Sequence, residues 1–441
     1  MALDKKINYI RGRAKGYWSL PNGKKAFLFL LETLRDLLLQ NVSIEVLRQF
    51  QNDNNCGSKI CRVLFLVQEE AVWPSLQSVY FAMAKDQRFE PKLVYVPSEH
   101  QNVTLEEDNL KVYLQMGLPI VNYTNYNLSD DNPDIVFFAK PYNNIPKQFY
   151  VSEVEKIVDR LVYIPYGMEI TKSLIFYGFQ TYLHYRAWKH IVYGEPAKKI
   201  GTDYGYRNGE NIVVWGHPKA DNYLPCKQYD IPREWNNKIH GRKVVLWCPH
   251  HTIKPGPECV STWLDYYKGI FNLFEKKKDL VLLWRPHPLL FGAIVNNGYM
   301  TQSELNELIL KKTACENIIL DRTPDYRASF FISNAMITDG TTFSIEYLYT
   351  AKPLMVTAHN FDCFYNFQQM EKSIYIGKSL EDIEHFVKEF SIGKDPLKEK
   401  RIEFRRKMFF IPENITTGEY IRDQILHDLE SEEKSHAGTI I

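Results

Sequence analysis

The sequence predicts an α/β protein of two Rossmann-like lobes with a central cleft, each lobe a parallel sheet covered by helices on both faces. Three observations carry the prediction. A chain of 441 residues exceeds the size at which one hydrophobic core usually keeps growing. Short runs that are apolar nearly throughout alternate with helical stretches, as strands buried on both faces do. The series then occurs twice, on either side of a broken, polar stretch around 225–240.

The first series begins after an N-terminal segment, 1–58, that is basic and then helical in spacing. Lys5, Lys6, Arg11, Arg13, Lys15, Lys24 and Lys25 precede an apolar stripe of Phe27, Leu30, Leu31, Leu34, Leu37 and Leu38. Such a pattern can lie on an anionic membrane surface or pack on its own domain. Strands are expected at 62–67, 92–96, 134–138, 161–165, 188–193 and 212–214. Helices are expected at 73–85, 109–116 and 151–158, with a Tyr-rich helical stretch at 173–187. This lobe spans 59–225.

The second lobe, 241–390, reads as strands at 243–248, 279–284, 318–320, 335–338 and 353–357. Helices fall at 262–276, 301–312, 326–332, 342–350 and 380–390. The remaining 391–441 is helical and is expected to cross back to the first lobe. No glycine-rich dinucleotide fingerprint follows Val67, where Gln68-Glu69-Glu70 stands instead, so a dehydrogenase is disfavoured.

Composition removes other classes. Lys+Arg 54 against Asp+Glu 53 leaves no global field that would draw nucleic acid. Seven Cys without short paired spacing suit neither a disulfide framework nor a zinc site. No cleavable signal follows the basic start, and 26–39 is too short and too charged to span a bilayer. The expected location is the cytoplasm, peripheral on the inner face of the membrane.

Three segments at strand ends of the second lobe carry candidate chemistry: Cys248-Pro249-His250-His251-Thr252, Trp284-Arg285-Pro286-His287-Pro288, and Thr338-Asp339-Gly340-Thr341-Thr342-Phe343-Ser344-Ile345-Glu346. Ligands bind off the carboxyl ends of strands in such sheets, so all three tips are expected at one site. In the third, Gly340 permits close backbone approach, and Thr341 or Thr342 can cap a helix whose free N–H groups favour phosphate. Arg285 and His287 could neutralise a leaving nucleotide, and Glu346 could accept hydrogen bonds from a ribose.

The ordered set PHHT, WRPHP and ITDGTTFSIEYL, preceded by YIPYG and VVWGHPKAD, resembles the CDP-glycerol glycerophosphotransferases, the teichoic acid primase and polymerase family. The resemblance covers roughly 161–357 and implies the GT-B fold. It also implies transfer of a polyol phosphate, glycerol phosphate first, from a CDP-activated donor to a hydroxyl of a cell-surface glycan or lipid-linked precursor. Carried across, Thr341 and Thr342 match the serines of the family's TDYSS turn and Asp339 its aspartate, with Ser344 and Glu346 on the same helix. His287 matches the histidine expected at the donor phosphates, and Gly216, Pro218 and Asp221 match an element before the linker.

One departure stands out. Where the family carries a first-lobe histidine regarded as the base, this chain has Tyr166, and an ordinary phenol with a pKa near ~10 is a poor base at neutral pH. His250, His251, His184 and Glu169 are the alternatives. Two other readings stay open: a glycosyltransferase using a CMP- or UDP-sugar in capsule synthesis, and a non-catalytic binder of glycan precursors. No cofactor is named by the residues, and a divalent metal is left open. The acidic run Asp130-Asp131-Asn132-Pro133-Asp134 lacks DxD spacing and reads as a solvated loop.

Overall fold

The computed structural model describes residues 60–98, 103–168, 175–224, 229–256, 259–323, 325–359 and 370–437. The basic start, the apolar stripe at 27–38, the linker at 52–58 and Glu169 lie outside them. The chain forms two compact units. One comprises the residues up to Tyr166, Ile175–Asp221 and Phe410 onward; the other comprises Gly167–Leu174 and Asn222–Phe409.

The first unit holds a seven-stranded sheet in the order β3-β2-β1-β4-β5-β6-β7. Its strands are β1 (Cys61–Val67), β2 (Phe89–Tyr95), β3 (Ile120–Asn122), β4 (Ile135–Phe138), β5 (Arg160–Tyr163), β6 (Lys189–Val192) and β7 (Ile212–Val214). All pairings are parallel. Its β1 is an interior strand buried on both faces, with Val63, Phe65 and Val67 on one core and Leu64 and Leu66 on the other. Alternate residues of one strand therefore feed two cores, which is why the run reads as continuously apolar.

The second unit holds a six-stranded parallel sheet in the order β10-β9-β8-β11-β12-β13. Here β8 is Lys243–Cys248, β9 Leu280–Trp284, β10 Ile318–Leu320, β11 Ala335–Thr338, β12 Leu354–Val356 and β13 Tyr375–Ile376. Trp247 and Trp284 pair across β8 and β9, and both stack on Trp263, with ring centroids 5.0 and 5.4 Å away. This indole stack sits one residue below the segments that carry the site.

Several elements differ from the sequence reading. The helix expected at 73–85 opens as a 3-10 turn, Glu70–Ser75, because Pro74 cannot donate into an α-helical ladder; the α-helix proper is Gln77–Ala84. The Tyr-rich stretch is two short helices, Ile175–Phe179 and Tyr182–Arg186, the second opened by a capping box in which His184 replaces the usual Glu. The linker region contains a helix, Arg233–Ile239. Strands β3 and β13 and helices Glu195–Tyr204 and Leu290–Asn296 have no counterpart in the expected elements.

Candidate active site

In each sheet the strand order reverses at one place, and a crevice opens there at the carboxyl edge. In the second unit the reversal lies between β8 and β11. The residues after β8 are Pro249-His250-His251, those after β11 are Asp339-Gly340, and β9, next to β8, delivers Arg285-Pro286-His287.

Backbone hydrogen bonds fix these segments beyond the strand ends. Arg285 N–H donates to Trp247 O at 2.8 Å and His287 N–H to Pro249 O at 3.0 Å, so the two strand tips continue as a pair. Asp339 ties in the third tip. Its carboxylate accepts from His250 N–H at 2.5 Å, Thr262 N–H at 2.6 Å, and the hydroxyls of Ser261 and Thr262 at 3.2 Å. Burial pushes the Asp339 carboxyl up to about 6, and the hydrogen bonds oppose it.

The result is a cluster of three imidazoles. Ring centroids of His251 and His287 are 4.1 Å apart, of His250 and His251 4.3 Å, and of His250 and His287 5.0 Å. Burial lowers all three from their ordinary value, assisted by neighbouring rings for His250 and His287: His250 to about 3 and His287 to about 4. The rings are neutral at pH 7. An arriving anion reverses that penalty, because opposite charge favours the protonated form.

One ring atom from each histidine lies within 4.8 Å of the others, a spacing at which a metal ion could also sit. Hydrogen bonds at Nδ1 set two of the three rings as N–H donors. Leu289 N–H donates to His287 Nδ1 at 3.1 Å, and Thr252 N–H donates to His250 Nδ1 at 3.3 Å. An imidazole that accepts at Nδ1 carries its proton at Nε2 when neutral. A metal-binding histidine does the opposite, donating from the nitrogen that does not touch the metal.

Other expected residues have different work. Arg285 is not directed at a donor phosphate: its Nη1 pairs with buried Asp321 at 2.6 Å and its Nη2 donates to Thr323 O at 2.8 Å. Its charge is already compensated inside the fold. Asp339 binds the protein's own backbone and is 1% exposed, so it positions His250 without reaching a ligand. Glu346 is fully buried and accepts from Tyr223 OH at 2.7 Å and Tyr326 OH at 2.5 Å, which removes it as a ribose acceptor. Ser344 is likewise buried.

The threonines are not caps. Gly340 is the N-cap of helix Thr341–Tyr347, with no side-chain cap bond, and Thr341 is the first helical residue. Gly340 has an ordinary negative φ and donates to Thr338 Oγ1 at 3.0 Å. Thr342 is half-buried.

The element before the linker is structural. Gly216 has φ +83°, and a Cβ there would meet Phe410 O at 2.7 Å. Pro218 opens the 3-10 turn Pro218–Tyr223. Asp221 accepts from Thr417 N–H at 2.8 Å and Gly418 N–H at 3.1 Å and from Ser78 Oγ, so it caps helix Thr417–Ala437. Asp221→Ala is therefore expected to cost about 1–2 kcal/mol in denaturant unfolding, with donor affinity of the folded protein unchanged.

In the first unit, Tyr166 lies just past β5, with its hydroxyl 3.2 Å from that of Tyr142. His184 is buried, with Nδ1 held by Thr181 and its pKa driven well down by burial, so it is no base for a substrate. The acidic run at 130–134 is not merely solvated. Asp131 is paired with Lys92 and accepts from Tyr126 OH at 2.7 Å, and Asp134 accepts from Arg62 N–H at 2.8 Å. Those residues sit at the amino end of β4, away from the carboxyl edge.

Two parallel α/β units, each with its own switch point, give the chain the two Rossmann-like lobes of the GT-B class. Residues 182–426, more than half of the chain, match the model of the family CDP-Glycerol:Poly(glycerophosphate) glycerophosphotransferase, and the chain belongs to that family. It is a glycerophosphotransferase. Among solved structures it is similar to the wall teichoic acid polymerase TagF in a histidine variant, at 15% identity and TM-score 0.55, covering 91% of this chain and 98% of that one. A further TagF structure, soaked with CDPG, matches at 17% identity and TM-score 0.51 over the same shares. A UDP co-structure of MnaA from S. aureus matches at 14% identity and TM-score 0.56, covering 84% and 97%. At these identities the likeness is one of fold. No curated protein matches the chain.

Proposed function

We propose that the His250–His251–His287 cluster holds the diphosphate of CDP-glycerol and that the enzyme builds a teichoic-acid-type surface polymer by transferring glycerol phosphate to an acceptor hydroxyl. The observation that carries this reading is the histidine geometry: three neutral imidazoles converge at a switch point, and the backbone holds two of them as Nε2–H donors. In-line attack on the β-phosphorus spreads negative charge over the transferring oxygens and the departing CMP. Donors fixed in advance stabilise that charge without reorganising.

The acceptor is a glycan or lipid-linked precursor. Among the described residues no helix is long and apolar enough to cross a membrane. We assign contact with an anionic inner membrane face to the basic residues of 1–25 and the stripe at 27–38.

Titration calorimetry with CDP-glycerol tests the donor assignment. Because the empty cluster is neutral and the bound donor favours a protonated His251, whose Nδ1 receives neither of these backbone N–H groups, affinity is expected to increase several-fold from pH 8 to pH 6. A UDP-sugar should compete weakly. Donor affinity that is flat across that range, or tighter binding of the UDP-sugar, contradicts the assignment.

A further inference from the structure

Two helices of the second unit turn side chains at helical spacing toward one another. Tyr267, Lys268, Phe271 and Asn272 do so from Trp263–Lys276, and Glu304, Glu307, Leu308 and Lys311 from Gln302–Thr313. Between them lies a groove of about 490 Å³, with Tyr299 and Met300 also on its wall. That is the volume of a ligand site. Each helix returns the chain from the carboxyl edge of the sheet to its amino edge, so the groove follows the same direction. Tyr299 OH donates to Ile253 O at 3.5 Å, which joins the groove to the loop that carries His250 and His251.

The charges on the wall are of two kinds. Lys312 pairs with Glu275 at 2.7 Å, and Glu304 closes the capping box with Thr301, so both are engaged within the fold. Lys268 and Lys311, exposed on opposite helices, have no ion pair among the described residues. Exposed Lys254 follows Ile253 and is unpaired in the same sense. Glu307 is the unpaired acid of the wall, so free cations outnumber free anions here. The aromatic part is fixed in advance. Tyr267 lies flat on Trp263, ring centroids 5.1 Å apart and planes 11° apart, and Lys268 Nζ stands 5.7 Å from the Tyr267 centroid.

We propose that this groove is a second binding site for the growing polymer, a polyol chain carrying one phosphodiester anion per repeat. The proposal rests on the glycerophosphate-transfer reading above. Lys254, Lys268 and Lys311 meet successive phosphodiesters as point charges, while the tyrosine rings cover the carbons of the polyol. A chain held there stays at high local concentration after each transfer, so long primers gain and short ones do not.

The charge-reversed double variant Lys268→Glu with Lys311→Glu tests this. Both side chains are exposed, so the fold is expected to stand, as a thermal melt will show. Fluorescence anisotropy with labelled, nucleotide-free poly(glycerol phosphate) should show the Kd rising at least ~10-fold, and KM for a long primer should rise with it. A single-unit primer, too short to reach the groove, should be used as well as by wild type. Added salt should weaken long-primer binding in wild type more than in the variant. Polymer binding within about twofold of wild type, or equal losses with long and single-unit primers, overturns the proposal. So does a variant that keeps the polymer and loses anionic vesicles instead, since the groove would then face lipid. Failure of the donor reading is distinct: wild-type protein would not bind CDP-glycerol in calorimetry, whereas polymer binding is measured without nucleotide.

Discussion

His287→Ala is expected to lower kcat/KM for CDP-glycerol by at least ~100-fold, about 2.7 kcal/mol of transition-state stabilisation, while the protein stays folded. The ring is part-buried at a strand tip, accepts the N–H of Leu289 and packs on the other two imidazoles, so its removal costs the fold little. What is lost is a fixed donor at the place where charge develops. Neighbouring His251 is 4.1 Å away by ring centroids and cannot swing across without abandoning its own side of the cluster. Steady-state kinetics beside a thermal melt check this. Unchanged turnover with CDP-glycerol would remove His287 from the site.

Asp339→Ala is expected to be worse for a different reason. The carboxylate satisfies the buried N–H groups of His250 and Thr262 and holds the loop after β8 against the start of helix Trp263–Lys276. Each donor left unsatisfied costs roughly 1–3 kcal/mol, so a total of about 3–5 kcal/mol is expected in denaturant unfolding. Freed from that anchor, His250 loses its place beside His287, and donor affinity should fall with stability. A variant as stable as wild type would show that the loop holds itself. The two substitutions thus separate the residue proposed to meet the donor from one that holds the loop beside it.

The contrast marks what the sequence could and could not disclose. Strands β8, β10 and β11 fall where their apolar runs place them, because a strand buried on both faces has a pattern few other elements imitate. Three histidines at neighbouring strand tips were equally legible, since the switch-point rule needs only strand order. Side-chain direction was not. Arg285 sits one residue from the crevice, yet a buried aspartate 36 positions along the chain claims its guanidinium. Glu346 lies one turn into the helix that starts at the site, yet two phenols enclose it. Asp221 seemed part of a binding motif and is a helix cap for a segment nearly two hundred residues away. Partners at such separation leave no local pattern. The groove that Lys268 and Lys311 share was missed for the same reason: only the packing of their two helices brings them to one place.

The central claim is that phosphorus, and not only the polyol, moves from donor to acceptor. Incubation with CDP-glycerol labelled with 32P at the β-phosphate, with a glycerol-phosphate-primed acceptor, measures it directly. The account predicts label in the polymer and release of CMP in equal amount, abolished in His287→Ala. Release of CDP with the label retained on the nucleotide would contradict it, since that outcome is transfer at carbon, the chemistry of a glycosyltransferase.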